Sequence, residues 1–331
     1  MSRALVARAP TRLDFGGGWT DVPPYTEREG GAVCNVAITR YATATVATGG
    51  HVAIRDQPTT APDDTLIRAA LRRSRIPGVE AHLESDYPLG AGLGGSSAAG
   101  VALAGALAVL ASEPRDPQTL AERSRATEVE ELGMAGGFQD HFAAAFGGAL
   151  LLSFGDTIGV ERIDLAAETQ TELARRGILV YTGESRISGD TILAVRNTYL
   201  AGERRVVDAL ARMKSLALEM ATALRAADLD ALGTLVGEHW VHQRELHPSI
   251  ATPRIDTIIE TAARAGALGC KALGASGGGC VLAIAAKGCE DEVAHALAPL
   301  GERLTYAIDT TGFDVVALLE GQGSPDAHQH R

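Results

Sequence analysis

The stretch Pro88-Leu-Gly-Ala-Gly-Leu-Gly-Gly-Ser-Ser-Ala-Ala-Gly100 sets bare backbone directly before two hydroxyls. Gly90, Gly92 and Gly94 alternate with small or apolar residues, Leu93 stands between the last two, and Gly95, Ser96 and Ser97 follow. From Ala98 to Leu110 there is neither a charge nor a proline. This reads as a loop feeding the N-terminus of a buried helix. Such a loop can bring successive N–H groups to an anion, and the helix terminus adds a partial positive charge. A tight turn before an apolar helix, with a serine as its N-cap, would use the same residues. Other polar groups also gather at glycines. Arg12 precedes Gly16-Gly-Gly-Trp-Thr-Asp21, Asp140 lies in Gly136-Gly-Phe-Gln-Asp-His141, and Gly274-Ala-Ser-Gly-Gly-Gly279 forms a third cluster. Glu128, Glu130 and Glu131 stand shortly before the second.

Two common nucleotide fingerprints do not fit. Gly-x-x-x-x-Gly-Lys-Ser/Thr is absent, and the glycine loop is not in a first βα turn followed by a suitably placed acidic residue. With 331 residues, 46% hydrophobic and 21% charged, the chain is an ordinary globular protein long enough for two domains. A formal net charge of -11 argues against a nucleic-acid or anionic-membrane partner, since both require basic patches. The apolar run after Gly100 is too short to span a bilayer. Met1 to Ala9 reads as a first strand rather than a leader. Cys34, Cys270, Cys280 and Cys289 form no Cys-x-x-Cys pair and read as reduced residues of a cytoplasmic protein. No histidine pair has metal-binding spacing; His239, His242 and His247, near Trp240, read as surface or core residues.

The elements that must position these groups are strands at both ends and a helix-rich second half. Residues 3–8 alternate as a strand and deliver a polar loop from Ala9 to Asp21. Ala32–Ile38, Ala42–Ala47, Val52–Arg55 and Val79–Ser85 read as further strands, and Asp63 or Asp64 caps a helix through Arg75. Asp116-Pro opens a helix that carries the three glutamates and stops at Gly133. A short helix over Phe142–Phe146 and a strand over Ala149–Phe154 follow, then polar strand and linker sequence through about residue 175. Ile178–Tyr181 is a strand. Thr191–Arg244 is helical, with breaks at Ala201-Gly202 and Ala227-Asp228. A helix over Thr252–Ala265, a strand over Val281–Ala286, a helix over Glu290–Leu297 and strands near Leu304–Ile308 and Val315–Leu319 complete the chain, with a polar tail from Gly321. The class is α+β without regular βαβ alternation.

Ala9-Pro-Thr-Arg12 with Gly-Gly-Gly-Trp-Thr-Asp21, the loop at 88–100 and Gly274–Gly279 resemble, in order and spacing, the three motifs of the GHMP kinases. Within that family the chain looks most like the sugar-1-kinase branch, D-glycero-D-manno-heptose 7-phosphate kinases above all, with fucokinase domains and galactokinases more distant. Phe15–Tyr25, Gly30–Val33, Gly136–Gly148 and Tyr181-Thr-Gly-Glu-Ser-Arg186 carry the finer match. Trp19, where the heptose kinases usually have a smaller residue, and His141, where glutamine is commoner, depart from it.

The resemblance implies a two-domain fold, residues 1–170 binding nucleotide and 171–331 completing an active site in the cleft between them. It implies a phosphotransferase with an alcohol acceptor, using ATP and Mg²⁺ on the anomeric hydroxyl of a sugar or sugar phosphate, with a homodimer as one admissible assembly. Gly90, Gly92, Leu93, Gly94, Gly95, Ser96 and Ser97 would hold the nucleotide; Ser97 and Glu128 would meet the metal. Asp140 would accept the proton and Arg12 would neutralise charge between it and the phosphoryl group. Gly17, Gly18, Asp21 and Gly137 would face the sugar. Ser185 and Arg186 would reach a distal phosphate, since an arginine fork matches its oxygens. Each has a plainer alternative: Asp140 and the serines as helix caps, the glutamates as a solvated face, Arg12 as a surface ion pair, and 185–186 as a turn before a helix.

Overall fold

The computed structural model describes residues 3–48, 64–134, 136–184 and 189–320. The expected strand at Val52–Arg55, the cap at Asp63 and the tail from Gly321 lie outside these residues. Two antiparallel sheets organise the rest. The first contains β1 (Arg3–Gly16), β2 (Gly31–Thr48), β3 (Val79–Ser85), β4 (Ala149–Phe154) and β5 (Ile158–Ile163). The second contains β6 (Gly177–Tyr181), β7 (Ala267–Ala272), β8 (Cys280–Ala285) and β9 (Glu302–Arg303). The last strand, β10 (Asp314–Glu320), returns to pair with β1. The strand orders are β10-β1-β2-β4-β5, with β3 also on β2, and β7-β8-β6-β9.

The helices are α1 (Tyr25–Glu29), α2 (Asp64–Ser74), α3 (Gly95–Ala111), α4 (Pro117–Ala126), α5 (Gln139–Phe146) and α6 (Ala167–Arg176) in the first half. In the second they are α7 (Gly189–Leu200), α8 (Arg204–Arg225), α9 (Leu229–Glu245), α10 (Pro253–Arg264) and α11 (Glu290–Leu297). Among the described residues no helix is long and apolar enough to cross a membrane, and all four cysteines are free.

Three elements differ from their sequence-based expectation. The polar run after residue 8 is not a loop: β1 continues to Gly16, because it is paired along its length with β2. Pro10, which has no N–H to give, sits where the β1–β2 register shifts. The linker expected before 175 holds α6, whose buried side is only Leu173 and Arg176, too thin a stripe to read as a helix. The strand expected over Leu304–Ile308 is reduced to Glu302–Arg303 and a single bridge from Ile308 to Ile38.

Gly31–Ile38 of β2 is buried at every position, so both faces of the sheet are covered there, and α3, α5 and α8 all pack against β1 and β2. One apolar core runs from Leu13 and Phe15 through Leu103 to Met220, Leu232 and Leu282, joining the two sheets. A second cluster, including Ile178, Val206, Trp240 and Val281, lies around the second sheet. Buried apolar surface therefore fixes β1 against elements from both halves of the chain.

Candidate active site

The glycine loop is a turn of left-handed backbone: Gly90, Gly92 and Gly94 have φ of 70, 74 and 73°. Gly94 is also the N-cap of α3, and no side chain caps that helix. Ala98 N–H donates to the Gly94 carbonyl at 3.0 Å, so the amides ahead of it have no acceptor within the helix. The helix N-terminus thus keeps its donors for a ligand. Neither serine takes up the capping alternative. Ser96 Oγ donates to Glu128 Oε1 at 2.6 Å, and Ser97 Oγ reaches Glu128 Oε2 at 3.4 Å. The loop is fixed from outside. Tyr87 Oη donates to Gly95 O (2.8 Å), Cys280 N–H to Ala91 O (2.8 Å), and Arg12 N–H to Leu93 O (3.0 Å). The Gly274–Gly279 cluster packs on this loop: a Cβ at residue 274 would stand 3.0 Å from the Gly92 Cα.

Glu128 lies in a π-helical turn, Thr127–Glu131, that extends α4. The start of α4 is set as its sequence demands, with Asp116 accepting from Thr119 N–H and Pro117 in the first turn. Burial alone would raise the Glu128 carboxyl; the His141 ring at 3.3 Å and the two serine hydroxyls outweigh it and hold the carboxyl below its ordinary value. His141 is oriented by Ser124, 2.9 Å from its Nδ1. Glu130 and Glu131 turn away to Arg73 and Arg72.

Among the described residues no cluster of three or more His, Cys, Asp or Glu could hold a metal unaided. One carboxylate beside two hydroxyls at an open helix N-terminus is nevertheless a hard-oxygen set. It fits Mg²⁺, which takes one or two carboxylates and fills its other positions from substrate phosphates and water.

Across the loop, Arg12 and Asp140 meet. Arg12 Nε and Nη2 donate to Asp140 Oδ1 at 2.8 and 2.7 Å, and Nη1 donates to Gly92 O at 2.7 Å. The guanidinium is 3% exposed, so it is no surface ion pair. Asp140 is in the first turn of α5 but caps nothing. That end is bonded instead by Asp21, whose Oδ2 accepts from Phe138 N–H (2.8 Å) and Gln139 N–H (3.0 Å). A Cβ at residue 94 would stand 3.0 Å from the Asp140 carboxyl carbon, and the φ of 73° there favours glycine, so the loop and carboxylate can approach this closely. Burial raises the Asp21 carboxyl to about 6; the two N–H bonds oppose that shift, and neighbouring Asp140 adds to it.

A cavity opens between these groups. Its lining includes the expected Arg12, Gly18, Asp21, Gly137 and Asp140 together with Trp19, Ile192, Gly274 and Ala275. Gly17 adjoins it with φ 87° and donates its N–H to His239 Nε2 at 2.9 Å. His239 is a fully buried core residue, as expected, and burial with the nearby Lys271 pushes its pKa well below the ordinary value. Ser185 and Arg186 lie outside the described residues. Gly17 does not line the cavity, because its amide is taken by His239 and its face is packed against Ala32; the other expected site residues come together around the loop and cavity.

Two residues escaped the sequence reading. Asp14 lines the same cavity, and Lys271 of β7 donates to its Oδ2 at 3.0 Å. Lys271 stands three residues before Gly274, but nothing in the pattern marks a lysine inside a buried strand as the partner of a residue 257 positions away.

The family model described as GHMP kinases N terminal domain matches residues 64–148, and the one described as GHMP kinases C terminal matches residues 220–301. The chain is 27% identical over 301 residues to a D-glycero-alpha-D-manno-heptose 7-phosphate kinase of Campylobacter jejuni, covering 84% of this chain and 88% of that protein. It is 26% identical over 317 residues to a bifunctional fucokinase/GDP-fucose pyrophosphorylase of Arabidopsis thaliana, covering 86% of this chain but only 30% of the length of that relative. The fold is similar to the crystal structure of a D-glycero-D-manno-heptose 1-phosphate kinase from Bacteroides thetaiotaomicron. The TM-score is 0.75 at 23% identity, covering 98% of this chain and all of that one.

Proposed function

Because the chain belongs to the GHMP kinase family, we propose that it is an ATP-dependent sugar kinase that phosphorylates the anomeric hydroxyl of D-glycero-D-manno-heptose 7-phosphate, giving the 1,7-bisphosphate. The observation that carries this reading is the Arg12 guanidinium, bonded at once to Asp140 and to the carbonyl of Gly92 in the glycine loop. It sets a carboxylate at the mouth of an open helix N-terminus.

In this reading residues 1–170 carry the nucleotide site and the later half closes the cleft, with β10 returning to the first sheet. The backbone from Gly90 to Gly95 and the hydroxyls of Ser96 and Ser97 receive the nucleotide phosphates. Glu128 with Ser97 would hold Mg²⁺, which would supply charge neutralisation for the nucleotide phosphates. Asp140 accepts the proton of the anomeric hydroxyl as its oxygen bonds to the γ-phosphorus and ADP departs. Arg12 keeps Asp140 in reach and offsets charge on the transferring group. Gly18, Asp21 and Gly137 face the sugar, and Ser185 and Arg186 bind its distal phosphate. The cytoplasm, where ATP and sugar phosphates are found, is the setting.

The test is ADP release by purified protein with ATP, Mg²⁺ and a panel of hexoses, fucose and heptose 7-phosphates. Highest kcat/KM on the heptose phosphate is expected, with Asp140→Asn lowering kcat by about 10²–10⁴-fold. Absence of sugar-dependent turnover, or an unimpaired Asp140→Asn enzyme, overturns the assignment. One observation favours a second reading, a kinase of an unphosphorylated sugar of the fucose or galactose type. Trp19 and Ile192 wall the cavity with apolar surface, which suits a substituent without charge. Preference for fucose in the same panel would select it.

A further inference from the structure

Arg12 and Asp14 are two residues apart on β1, hence on one face of the strand and about 7 Å apart along it. The residues between and after them, Leu13 and Phe15, belong to the apolar core. Asp14 is 2% exposed, and Lys271, which donates to its Oδ2, is fully buried. Its second oxygen, Oδ1, is buried with no hydrogen-bond partner. Beside it, the Gln139 side-chain amide, on a residue 7% exposed, also has a buried unpartnered oxygen. A Cβ at residue 18 would meet Asp14 Oδ2 at 2.5 Å and Gln139 Nε2 at 2.9 Å, so Gly18 is the gap that lets the two side chains flank one spot. Both line the sugar cavity.

This arrangement is costly as a purely structural device. A buried ion pair gains little over apolar residues of the same shape, and a buried carboxylate oxygen left without a donor costs more than a neutral one. A carboxylate has room for several donors, whereas the lysine occupies only one oxygen. What the cavity lacks at this point is hydroxyl donors.

We infer that Asp14 is a specificity-determining residue of the sugar site: Lys271 holds one carboxylate oxygen, and the other, with Gln139 beside it, accepts hydrogen bonds from hydroxyls of a polyhydroxylated sugar remote from the reacting carbon. The inference rests on the kinase reading. Lys271 is a positioning residue, and because it comes from β7 of the second sheet, the orientation of Asp14 is set by the opposite half of the chain. Nothing is transferred here; the step is recognition.

The experiment pairs Asp14→Asn with monodeoxy analogues of whichever sugar the wild type phosphorylates. Lysine can only donate, so in Asp14→Asn it claims the amide oxygen and turns the NH₂ toward the cavity, replacing an acceptor with a donor at constant shape. Wild type should lose about 10- to 150-fold in kcat/KM on the analogue that lacks the bonded hydroxyl. Asp14→Asn should have a raised KM for the parent sugar, unchanged KM for ATP, and no remaining discrimination against that analogue. Because the single variant leaves an uncompensated lysine, Asp14→Leu/Lys271→Met, which offers the sugar no acceptor at this position, is run beside it with circular dichroism as a check of folding, and should lose the same discrimination.

If neither folded variant changes the pattern across the deoxy panel, Asp14 does not read the sugar and the inference fails while the kinase reading stands. If the wild type turns over no sugar at all, the kinase reading fails, and this inference with it.

Discussion

Arg12→Lys separates geometry from charge at the centre of the site. The wild-type fork delivers Nε and Nη2 to Asp140 Oδ1 at 2.8 and 2.7 Å and Nη1 to Gly92 O at 2.7 Å, with the guanidinium almost fully buried. A lysine ammonium keeps the charge but is a point donor on a flexible stem and cannot hold both partners in one plane. At least one charge-assisted bond is lost, worth about 1.5–3 kcal/mol where buried. Asp140 is 29% exposed and water recovers part of this, so about 2 kcal/mol is expected. With an unfolding entropy of about 2.1 cal/mol/K per residue, that lowers Tm by roughly 3 °C in a chain of 331 residues. The kinetic effect should be larger, because a carboxylate displaced by about 1 Å costs on the order of 10²-fold in kcat. Melting by calorimetry and steady-state ADP release check both. A variant with wild-type Tm and kcat within about threefold of wild type would refute the idea that the fork holds the base in place.

Glu128→Gln keeps the bond to Ser96 but removes the charge offered to a cation. Its half-saturating Mg²⁺ concentration should rise at least about tenfold with a small change in Tm, and an unchanged Mg²⁺ titration refutes the ligand role. Asp21 gives a pH signature. Its folded pKa of about 6 lies above the ordinary 3.8, so protonation stabilises the fold. That contribution is fully present below pH 3.8 and lost as pH rises through 6, amounting to about 3 kcal/mol. Asp21→Asn should therefore flatten the fall in stability between pH 4 and 6 relative to wild type, read by urea melts, and parallel curves would disprove it.

Some parts of this site announce themselves in sequence because their physics is local. Three alternating glycines before an uncharged run dictate a left-handed turn and a buried helix, and Asp116-Pro117 dictates the start of α4. Other parts depend on what lies across the fold. β1 continues through a run that reads as turn formers because β2 pairs with it as far as Gly16, and α6 has one buried leucine to declare it. Ser96 and Ser97 have the chemistry of N-caps, but Gly94 takes that position and the serine hydroxyls turn to the distant Glu128 and His141. Asp14 and Lys271 sit in apolar strands, where period-two patterning marks burial but says nothing of which buried charges meet.

The charges along β1 sort the site into two ends. Toward Leu93 the chain offers N–H donors at an open helix N-terminus, with Arg12 between, and this end suits phosphate oxygens. Toward Gly18 it offers Asp14, Asp21 and Asp140, with Arg12 on Asp140, Lys271 on Asp14 and Arg125 near Asp21, a set of acceptors that suits neutral hydroxyl donors. A polyol therefore has one favourable orientation, its reacting hydroxyl at Asp140 and its remaining hydroxyls toward Asp14. A phosphate at the far end of that sugar must extend past the carboxylates to a separate cation. Arg186→Ala tests the proposed distal-phosphate role: it should weaken a phosphorylated substrate and leave an unphosphorylated one unaffected, and equal weakening of both refutes that role.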